Sequence, residues 1–367
     1  MKETLISILN ILGFLSGSFV LSMVINAFFL KFARSLGIRN KNHLDIRWSS
    51  VSKPSLGGIS FYISFLIGFI FYAIIFGESD VFQNKALLGF FFSVTLAFFM
   101  GLSDDAYDTR PLIKLTVQIA CGVILVLTGN GIELFSIDWL DITLTILWVV
   151  GMMNSINMLD NMDGITSLTS VFIILTILGI SIPFSMTDNV YLFLMITILG
   201  CLGGFLFFNW NPSKMFMGDT GSQFLGVFLA FLGIKFLWNA NLHLGEVVIF
   251  KNLTLTMVTF IVPLTDTIFV TINRISKGQS PMIGGKDHTT HTLSYQGLRD
   301  RQIGYVFLFM ALASALMAQM MAKYLPPESL MLTLFWLYFI VKLVFFFRLK
   351  KTLQEKDNSE AKKELND

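Results

Sequence analysis

Long runs of apolar residues, separated by short polar segments, follow one another along almost the whole chain. A helix needs about 20 apolar residues to cross the hydrocarbon core of a bilayer, which is roughly 30 Å thick. On that basis we predict an all-α fold, a polytopic bundle of membrane helices. About eleven helices are expected, at residues 6–30, 56–76, 86–103, 112–128, 141–159, 164–184, 190–208, 221–238, 253–275, 303–322 and 329–347.

The composition supports this fold class. Hydrophobic residues make up 54% of the 367 residues and charged residues only 14%, whereas a soluble domain carries about 25% charged residues. The formal net charge of +2 gives no reason to expect nucleic acid as a partner. Cys121 and Cys201 lie within apolar runs, where thiols are mostly packing residues. The expected partner is the lipid bilayer.

The distribution of lysine and arginine predicts the orientation of the helices, because cytosolic loops retain these residues. The first apolar run is too long for a signal peptide and is predicted to stay as a membrane helix. With the N-terminus outside, about twenty of the 26 basic residues fall on the cytosolic side. The four outer ones are Lys2, Lys85, Lys251 and Lys323. We therefore expect an outer N-terminus and a cytosolic C-terminus.

The same pattern predicts one membrane domain, residues 1–347, followed by a charged cytosolic tail, residues 348–367. Nearly every unusual polar residue falls in the segments between helices on the cytosolic side. These segments are residues 31–55, 103–111, 159–163, 209–220 and 276–302.

Three carboxylates follow the third predicted helix. Asp104 and Asp105 are adjacent, and Asp108 would share a face with Asp104 if the helix continued. Carboxylates this close repel one another and raise each other's pKa unless a cation lies between them. The cluster therefore indicates a cation site, and the alternative is an ordinary acidic loop.

Asn154, Asn157, Asp160 and Asp163 recur every three residues at the end of the fifth predicted helix. Amide and carboxylate oxygens suit both Mg²⁺ and the hydrogen-bonding edge of a nucleotide. The alternative is a capped helix end followed by a turn stabilised by Asn or Asp side chains.

Asp219 comes directly before the eighth predicted helix, whose N-terminus favours an anion. The alternative is that Asp219 or Thr220 is simply the N-cap of that helix. Gly218 and Gly221, on either side, would let a phosphate approach the backbone closely.

Two of the chain's four histidines, His288 and His291, lie three residues apart, with Lys286, Arg299 and Arg301 nearby. Two histidines without a cysteine are too few for a zinc site. Histidines beside basic residues are typical of phosphate binding or proton transfer. The alternative is a basic loop attracted to anionic lipid.

Asp266 differs from the other acids because it falls about nine residues inside the ninth predicted helix. At 1.5 Å per residue it would lie about 14 Å deep, where a charge is costly unless it faces the bundle interior. We expect a structural role, paired to a polar or basic neighbour, with a place at the border of an active site as the alternative.

Taken in order, these motifs resemble the polyprenyl-phosphate N-acetylhexosamine-1-phosphate transferases, the family of the WecA, TagO and MraY enzymes. The resemblance runs from Pro54 to about Gln302, roughly two-thirds of the chain. Its elements are PSLGG at 54–58, DDxxD at 104–108, NxxNxxDxxDG at 154–164, FMGDTGS at 216–222 and the histidines at 288 and 291.

The resemblance implies a transferase that moves N-acetylhexosamine-1-phosphate from a UDP-sugar to polyprenyl phosphate and releases UMP. It implies Mg²⁺, or Mn²⁺, as cofactor, a bacterial cytoplasmic membrane location with the site facing the cytosol, and allows a homodimer. The implied catalytic residues are Asp104, Asp105, His288 and His291. The implied metal ligands are Asp219, Asp104, Asp105 and Asn157. The implied substrate-binding residues are Asn154, Asp160, Asp163, Lys114, Lys214, Lys286 and Asp108.

The histidine segment departs from the pattern of the TagO-like branch, which reads His-x-His-His followed by Arg. Here the segment reads His288-Thr289-Thr290-His291-Thr292. The three consecutive histidines of the MraY-like branch are also missing, so UDP-GlcNAc is the expected donor. A phospho-MurNAc-pentapeptide transferase is the alternative within the family, and an ion-coupled transporter is the alternative outside it.

Overall fold

The computed structural model describes residues 2–35, 53–76, 83–184, 189–242, 248–280, 284–324, 326 and 330–364. Within these ranges the regular structure is helical, without strands. The helices are α1 (Lys2–Ser35), α2 (Gly58–Phe76), α3 (Lys85–Tyr107), α4 (Pro111–Leu127), α5 (Asp138–Leu159), α6 (Ile165–Ser181), α7 (Asn189–Asn209), α8 (Gly218–Gly233), α9 (Ile249–Thr259), α10 (Ile261–Ser276), α11 (Thr289–Tyr295), α12 (Asp300–Tyr324) and α13 (Leu330–Glu364).

Helix α8 forms the centre of the bundle and packs against α2, α3, α5 and α6. It continues into a π-helical turn, Ile234–Trp238, and nearly all of this continuous stretch is buried. Phenylalanines fill its contacts: the rings of Phe90 and Phe231 stack with centroids 3.9 Å apart, and the Phe65 and Phe224 rings meet edge to face at 5.8 Å. Lipid is as apolar as these side chains, so the hydrophobic effect does not drive membrane helices together. Close packing of this kind holds them together instead.

The segment predicted as the ninth helix is broken. Helix α9 ends at Thr259, α10 begins at Ile261, and the two are inclined by 82°. Pro263 explains the break, because in a continuous helix its ring would clash with the carbonyl group four residues earlier, that of Thr259. Asp266 therefore lies in the second turn of a separate half-helix.

The structure is that of a multi-pass membrane protein. In the part of the chain it describes, seven helices are long and apolar enough to cross a membrane, or eight if α9 and α10 form one span. Helices α4 and α6 have 17 residues each. Every predicted segment is helical, but the predicted count of about eleven spans is not confirmed.

Parts of the predicted loops are helical. Helix α3 extends to Tyr107, so Asp104 and Asp105 lie in its last turn. The segment 276–302 includes the short helix α11. Helix α13 runs through most of the predicted tail, to Glu364. Most of the predicted loop 31–55 lies outside the described residues.

Candidate active site

Asp104 and Asp219, from α3 and α8, both contact one ammonium group. Lys114, in the first turns of α4, forms an ion pair with Asp104 Oδ2, and its Nζ lies 3.3 Å from Asp219 Oδ2. The other oxygen of Asp104 accepts hydrogen bonds from Thr109 N at 2.8 Å and Thr109 Oγ1 at 2.6 Å. Two carboxylates thus converge on a single positive charge.

Asn157 holds the second of these carboxylates from α5. Its Nδ2 donates to Asp219 Oδ1 and to Ser222 Oγ, both at 2.9 Å. In the structure Asn157 therefore orients Asp219 through its amide nitrogen.

Asn154 belongs to a buried amide cluster one turn further from the helix end. Its Nδ2 donates to Gln118 Oε1 at 2.9 Å, and Gln118 Nε2 lies 3.2 Å from Gln223 Oε1. Gln118 was not among the predicted residues, although it lies four positions after Lys114 and so shares a face of α4 with it. This cluster ties α4, α5 and α8 together beneath the carboxylates.

Asp105 caps the N-terminus of α8. Its Oδ1 accepts from Asp219 N at 3.0 Å, and its Oδ2 accepts from Thr220 N at 2.8 Å and Thr220 Oγ1 at 2.6 Å. The N–H groups that the sequence offered to a phosphate are therefore occupied by this side chain. Asp104 and Asp219 are thus the two carboxylates that share the Lys114 ammonium, whereas Asp105 binds the start of α8.

Glycines bring α2 and α3 into backbone contact with α8. A Cβ on Gly58 would lie 2.1 Å from Gly221 N, and one on Gly101 would lie 2.3 Å from the carbonyl oxygen of Asp219. Gly218, at φ +73°, faces the Asp105 carboxylate. The prediction that Gly218 and Gly221 leave room for a phosphate is wrong, because protein atoms fill that room.

Asp163 joins three segments. It accepts hydrogen bonds from Ser213 N at 2.9 Å and Ser213 Oγ at 2.7 Å, and from Asn211 Nδ2 at 3.2 Å. Lys53 Nζ lies 3.5 Å from both Asp163 oxygens. These contacts fix the loop before α8 against the turn after α5. Asp163 therefore stabilises the loop that leads to Asp219.

The histidine segment is held by Asp266. His288 Nδ1 lies 2.8 Å from Asp266 Oδ2, and Asp266 Oδ1 accepts from Thr289 N at 2.8 Å and Thr289 Oγ1 at 2.6 Å. Asp266 is fully buried. The rings of His288 and His291 meet edge to face with centroids 5.3 Å apart. Our expectation of a structural role is therefore incomplete, since the partner of Asp266 is a predicted catalytic residue.

Arg274, near the end of α10, provides a second anchor for this segment. Its Nη2 donates to Asp287 Oδ1 at 2.7 Å and its Nε to Asp287 Oδ2 at 3.0 Å. Burial alone would raise the pKa of Asp287, but the hydrogen bonds and charge of Arg274 outweigh burial and hold this pKa below its usual value of 3.8. The ion pair thus persists at neutral pH.

His291 carries no charge at neutral pH. Burial, followed by repulsion from the neighbouring His288, lowers the pKa of the His291 imidazole to about 3. It therefore offers hydrogen bonding at neutral pH, and attraction of phosphate by charge falls to other residues.

The end of α5 connects the carboxylate pair to the histidine segment. Asn157, in the last turn, contacts Asp219, and Asn161, just beyond the helix, accepts a hydrogen bond from Thr290 Oγ1 at 2.6 Å. Thr290 stands where the TagO-like pattern has its middle histidine. One short stretch of chain therefore contacts both clusters.

The other predicted residues lie around this centre. Asp160 is the C-cap of α5 and is partly exposed. Asp108 is exposed, with φ at 51°. Lys214 and Lys286 are exposed, and Lys214 Nζ lies 5.5 Å from the centre of the Phe207 ring.

The residues present fit a magnesium ion. Protein-bound Mg²⁺ is held by one or two carboxylates together with water and substrate phosphates, and here Asp104 and Asp219 already share one cation, the Lys114 ammonium. Over the described ranges, no group of three or more His, Cys, Asp or Glu side chains is placed to hold a metal.

Comparison with known proteins identifies the family. Residues 87–237, which include Asp104, Asp105, Asn157 and Asp219, match glycosyl transferase family 4. A Streptococcus thermophilus phospho-N-acetylmuramoyl-pentapeptide-transferase is 30% identical over 240 residues, which is 59% of this chain and 69% of that protein. The chain belongs to glycosyl transferase family 4. The resemblance noted from the sequence motifs is thereby confirmed.

Two other relatives of the family 4 chain match more of its length. A Bacillus subtilis protein named "Probable undecaprenyl-phosphate N-acetylglucosaminyl 1-phosphate transferase" is 27% identical over 71% of this chain and 72% of its own. An Escherichia coli O157:H7 undecaprenyl-phosphate alpha-N-acetylglucosaminyl 1-phosphate transferase is 27% identical over 85% of this chain and 84% of its own.

Proposed function

We propose that this protein transfers GlcNAc-1-phosphate from UDP-GlcNAc to undecaprenyl or another polyprenyl phosphate. The observation that carries the proposal is the placement of a convergent carboxylate pair and a histidine segment at one end of α5, through Asn157 and Asn161. Two anionic substrates need such a combination, with a cation site for the diphosphate and hydrogen-bond donors for the second phosphate.

The reaction exchanges one phosphorus–oxygen bond for another. A terminal oxygen of the polyprenyl phosphate bonds to the β-phosphorus, which carries the sugar. The bond from that phosphorus to the bridging oxygen breaks, and the oxygen leaves on the α-phosphate as UMP. The attacking phosphate monoester is mostly ionised near neutral pH, because its second pKa is about 6, so a dedicated base is not required.

Asp104 and Asp219 would hold the Mg²⁺. When bound, the ion neutralises diphosphate charge and favours departure of UMP. Lys114, displaced from between the carboxylates, would pair with a substrate phosphate, and Asn157 would keep Asp219 in position. His288 and His291 would provide hydrogen bonds to the phosphates.

GlcNAc is the proposed sugar because the relatives named for it align over 71% and 85% of this chain. The phospho-N-acetylmuramoyl-pentapeptide-transferase cited above aligns over 59%. The distribution of lysine and arginine supports a site on the cytosolic side, where UDP-sugars are made. Transfer of phospho-MurNAc-pentapeptide is the second candidate.

The test is UMP release by the purified protein in liposomes containing undecaprenyl phosphate. We expect release with UDP-GlcNAc and Mg²⁺ and none with EDTA. Asp104→Asn and Asp219→Asn should each lower the rate at least about 100-fold, the size of effect seen when a charge-stabilising group is removed.

Asp138→Asn is the matched control, because Asp138 is an exposed acid at the opposite end of α5, and it should keep the wild-type rate. Release with UDP-MurNAc-pentapeptide alone would favour the second candidate. Full activity of Asp219→Asn would refute the site.

A further inference from the structure

Asp266 is a buried carboxylate whose partners all belong to the segment before and within α11. One oxygen faces His288 Nδ1, and the other accepts from the backbone and hydroxyl of Thr289. Asp266 is 0% exposed, and His288 is 6% exposed. A charged group this deep is expensive, so its three contacts call for a reason beyond packing.

The contacts fix which ring nitrogen of His288 carries the proton. An ionised carboxylate only accepts hydrogen bonds, so the nitrogen facing Asp266 must be the donor, Nδ1–H. The opposite edge of the ring then presents Nε2, as an acceptor when the ring is neutral and as a donor when it is protonated. In other enzymes a carboxylate behind a histidine selects tautomer and orientation in this way.

The broken helix makes this contact possible. Because the chain turns by 82° between α9 and α10, Asp266 lies on a half-helix whose far end, at Arg274, also binds Asp287 beside His288. Two points on α10 thus hold the histidine segment. Of these two residues, Asp266 is the one that contacts the imidazole of His288.

We propose that Asp266 is a positioning residue for the transfer reaction: it holds His288 as the Nδ1–H tautomer and directs Nε2 to the substrate phosphates. The inference rests on the proposed function. It adds a residue that none of the predicted catalytic, metal or substrate sets contains.

Asp266→Asn is the informative variant because it preserves shape. Its amide oxygen can still accept from Thr289, but its NH₂ group would face His288 Nδ1, which must then accept. The proton of the ring moves to Nε2. We expect kcat for UMP release to fall at least about 100-fold, with the KM for UDP-GlcNAc changed less than about threefold.

The tautomer can be measured independently of turnover. The chain has four histidines, so protein labelled with ¹⁵N-histidine gives few ring signals, and those of His288 are identified by their loss in His288→Gln. The wild type should show protonated Nδ1 and unprotonated Nε2. Asp266→Asn should show the reverse.

Asp287→Asn is the matched control. It removes the other acidic anchor of the same segment without touching the imidazole, so it should keep the wild-type tautomer and lose less kcat than Asp266→Asn. If Asp266 only anchored the segment, both variants would lose kcat equally and both would keep the Nδ1–H tautomer. That result would overturn the inference.

The tests separate this inference from the proposed function. Absence of UMP release by the wild type would refute the function while the tautomer spectra still stood. Normal release by the wild type and an unchanged kcat in a folded Asp266→Asn would refute the positioning role alone.

Discussion

Among single residues, Lys114 has the most direct effect on the charge of the site. Its ammonium lies between Asp104 and Asp219, two carboxylates that would otherwise repel across a partly buried space. A divalent ion placed there would neutralise the same two carboxylates with twice the charge. Lysine and metal are therefore expected to compete for the same two oxygens.

Lys114→Gln should lower the thermal stability of the protein in EDTA and restore it in Mg²⁺. Removing the charge leaves the carboxylates without a cation, at a cost of about 1–3 kcal/mol, and a bound ion then stabilises the folded state by mass action. The measurement is the melting temperature in detergent, followed by tryptophan fluorescence with and without Mg²⁺.

Lys214→Gln, which removes an exposed lysine resting on the Phe207 ring, should melt as the wild type does in both buffers. A Lys114→Gln protein with an unchanged melting temperature in EDTA would contradict the role given to the ammonium.

The sequence located the acids of this site but not what each acid faces. Asp104, Asp105 and Asp163 occur in equally polar segments, and pattern alone treats them alike. All three turn out to bind backbone N–H groups, but only Asp104 also pairs with the Lys114 ammonium that Asp219 shares. A carboxylate can accept hydrogen bonds from backbone N–H groups or bind a ligand. Which of the two it does depends on the tertiary structure around it.

At the scale of helices, the crossing of α2 and α8 depends on direct backbone contact. Gly57 N and Gly58 N donate to the carbonyl oxygens of Phe216 and Met217 at 3.0 and 2.9 Å. The PSLGG motif therefore supports the loop that carries Asp219, and it does so by having no side chains at the contact.

Gly58→Ala should destabilise the protein strongly, by about 3 kcal/mol or more, because the added methyl would lie 2.1 Å from the Gly221 nitrogen and backbone cannot give way as a side chain can. The measurement is the melting temperature together with the yield of monodisperse protein in detergent.

Gly151→Ala, also within a membrane helix, is its counterpart, since no atom beyond its chain neighbours and its own helix backbone lies within 4 Å of the added carbon; its stability should match or exceed that of the wild type. Equal stability of the two variants would show that the crossing tolerates separation.

Helices were predictable where they are long and apolar, and less so where they are short or interrupted. Pro263 was a visible signal for the break between α9 and α10, but the apolar run continues across it. Helix α11, seven residues rich in threonine, has no periodic pattern to announce it. Its place is set by Asp266 and Arg274, which lie on another helix.

For the whole molecule, the orientation in the membrane is predicted from the positions of its charged residues. The homodimer also stays a prediction. The distribution of lysine and arginine predicts which end of the bundle faces the cytosol, because these residues are retained on the inner side. By that rule we predict that the ends of α3 and α5, and hence the site, face the cytosol.

Cysteine labelling in intact cells tests this orientation. Tyr107→Cys, at the end of α3, should react only after the membrane is permeabilised, and Trp139→Cys, at the start of α5, should react from outside. Both positions are well exposed, at 83% and 69%, whereas the native Cys121 and Cys201 are 0% exposed and should stay silent. Reaction of position 107 from outside would reverse the topology.

The glycine crossing also limits how this protein can diversify. Lipid-facing positions such as Val24 on α1 are open to exchange in single steps, because their side chains are largely exposed on the outside of the bundle. At Gly58, Gly101 and Gly221 no substitution is expected to be neutral, since even one methyl group would meet backbone or a packed ring. We therefore expect new donor preferences to arise more readily in the segments around α11 and after α5 than at the glycine crossing.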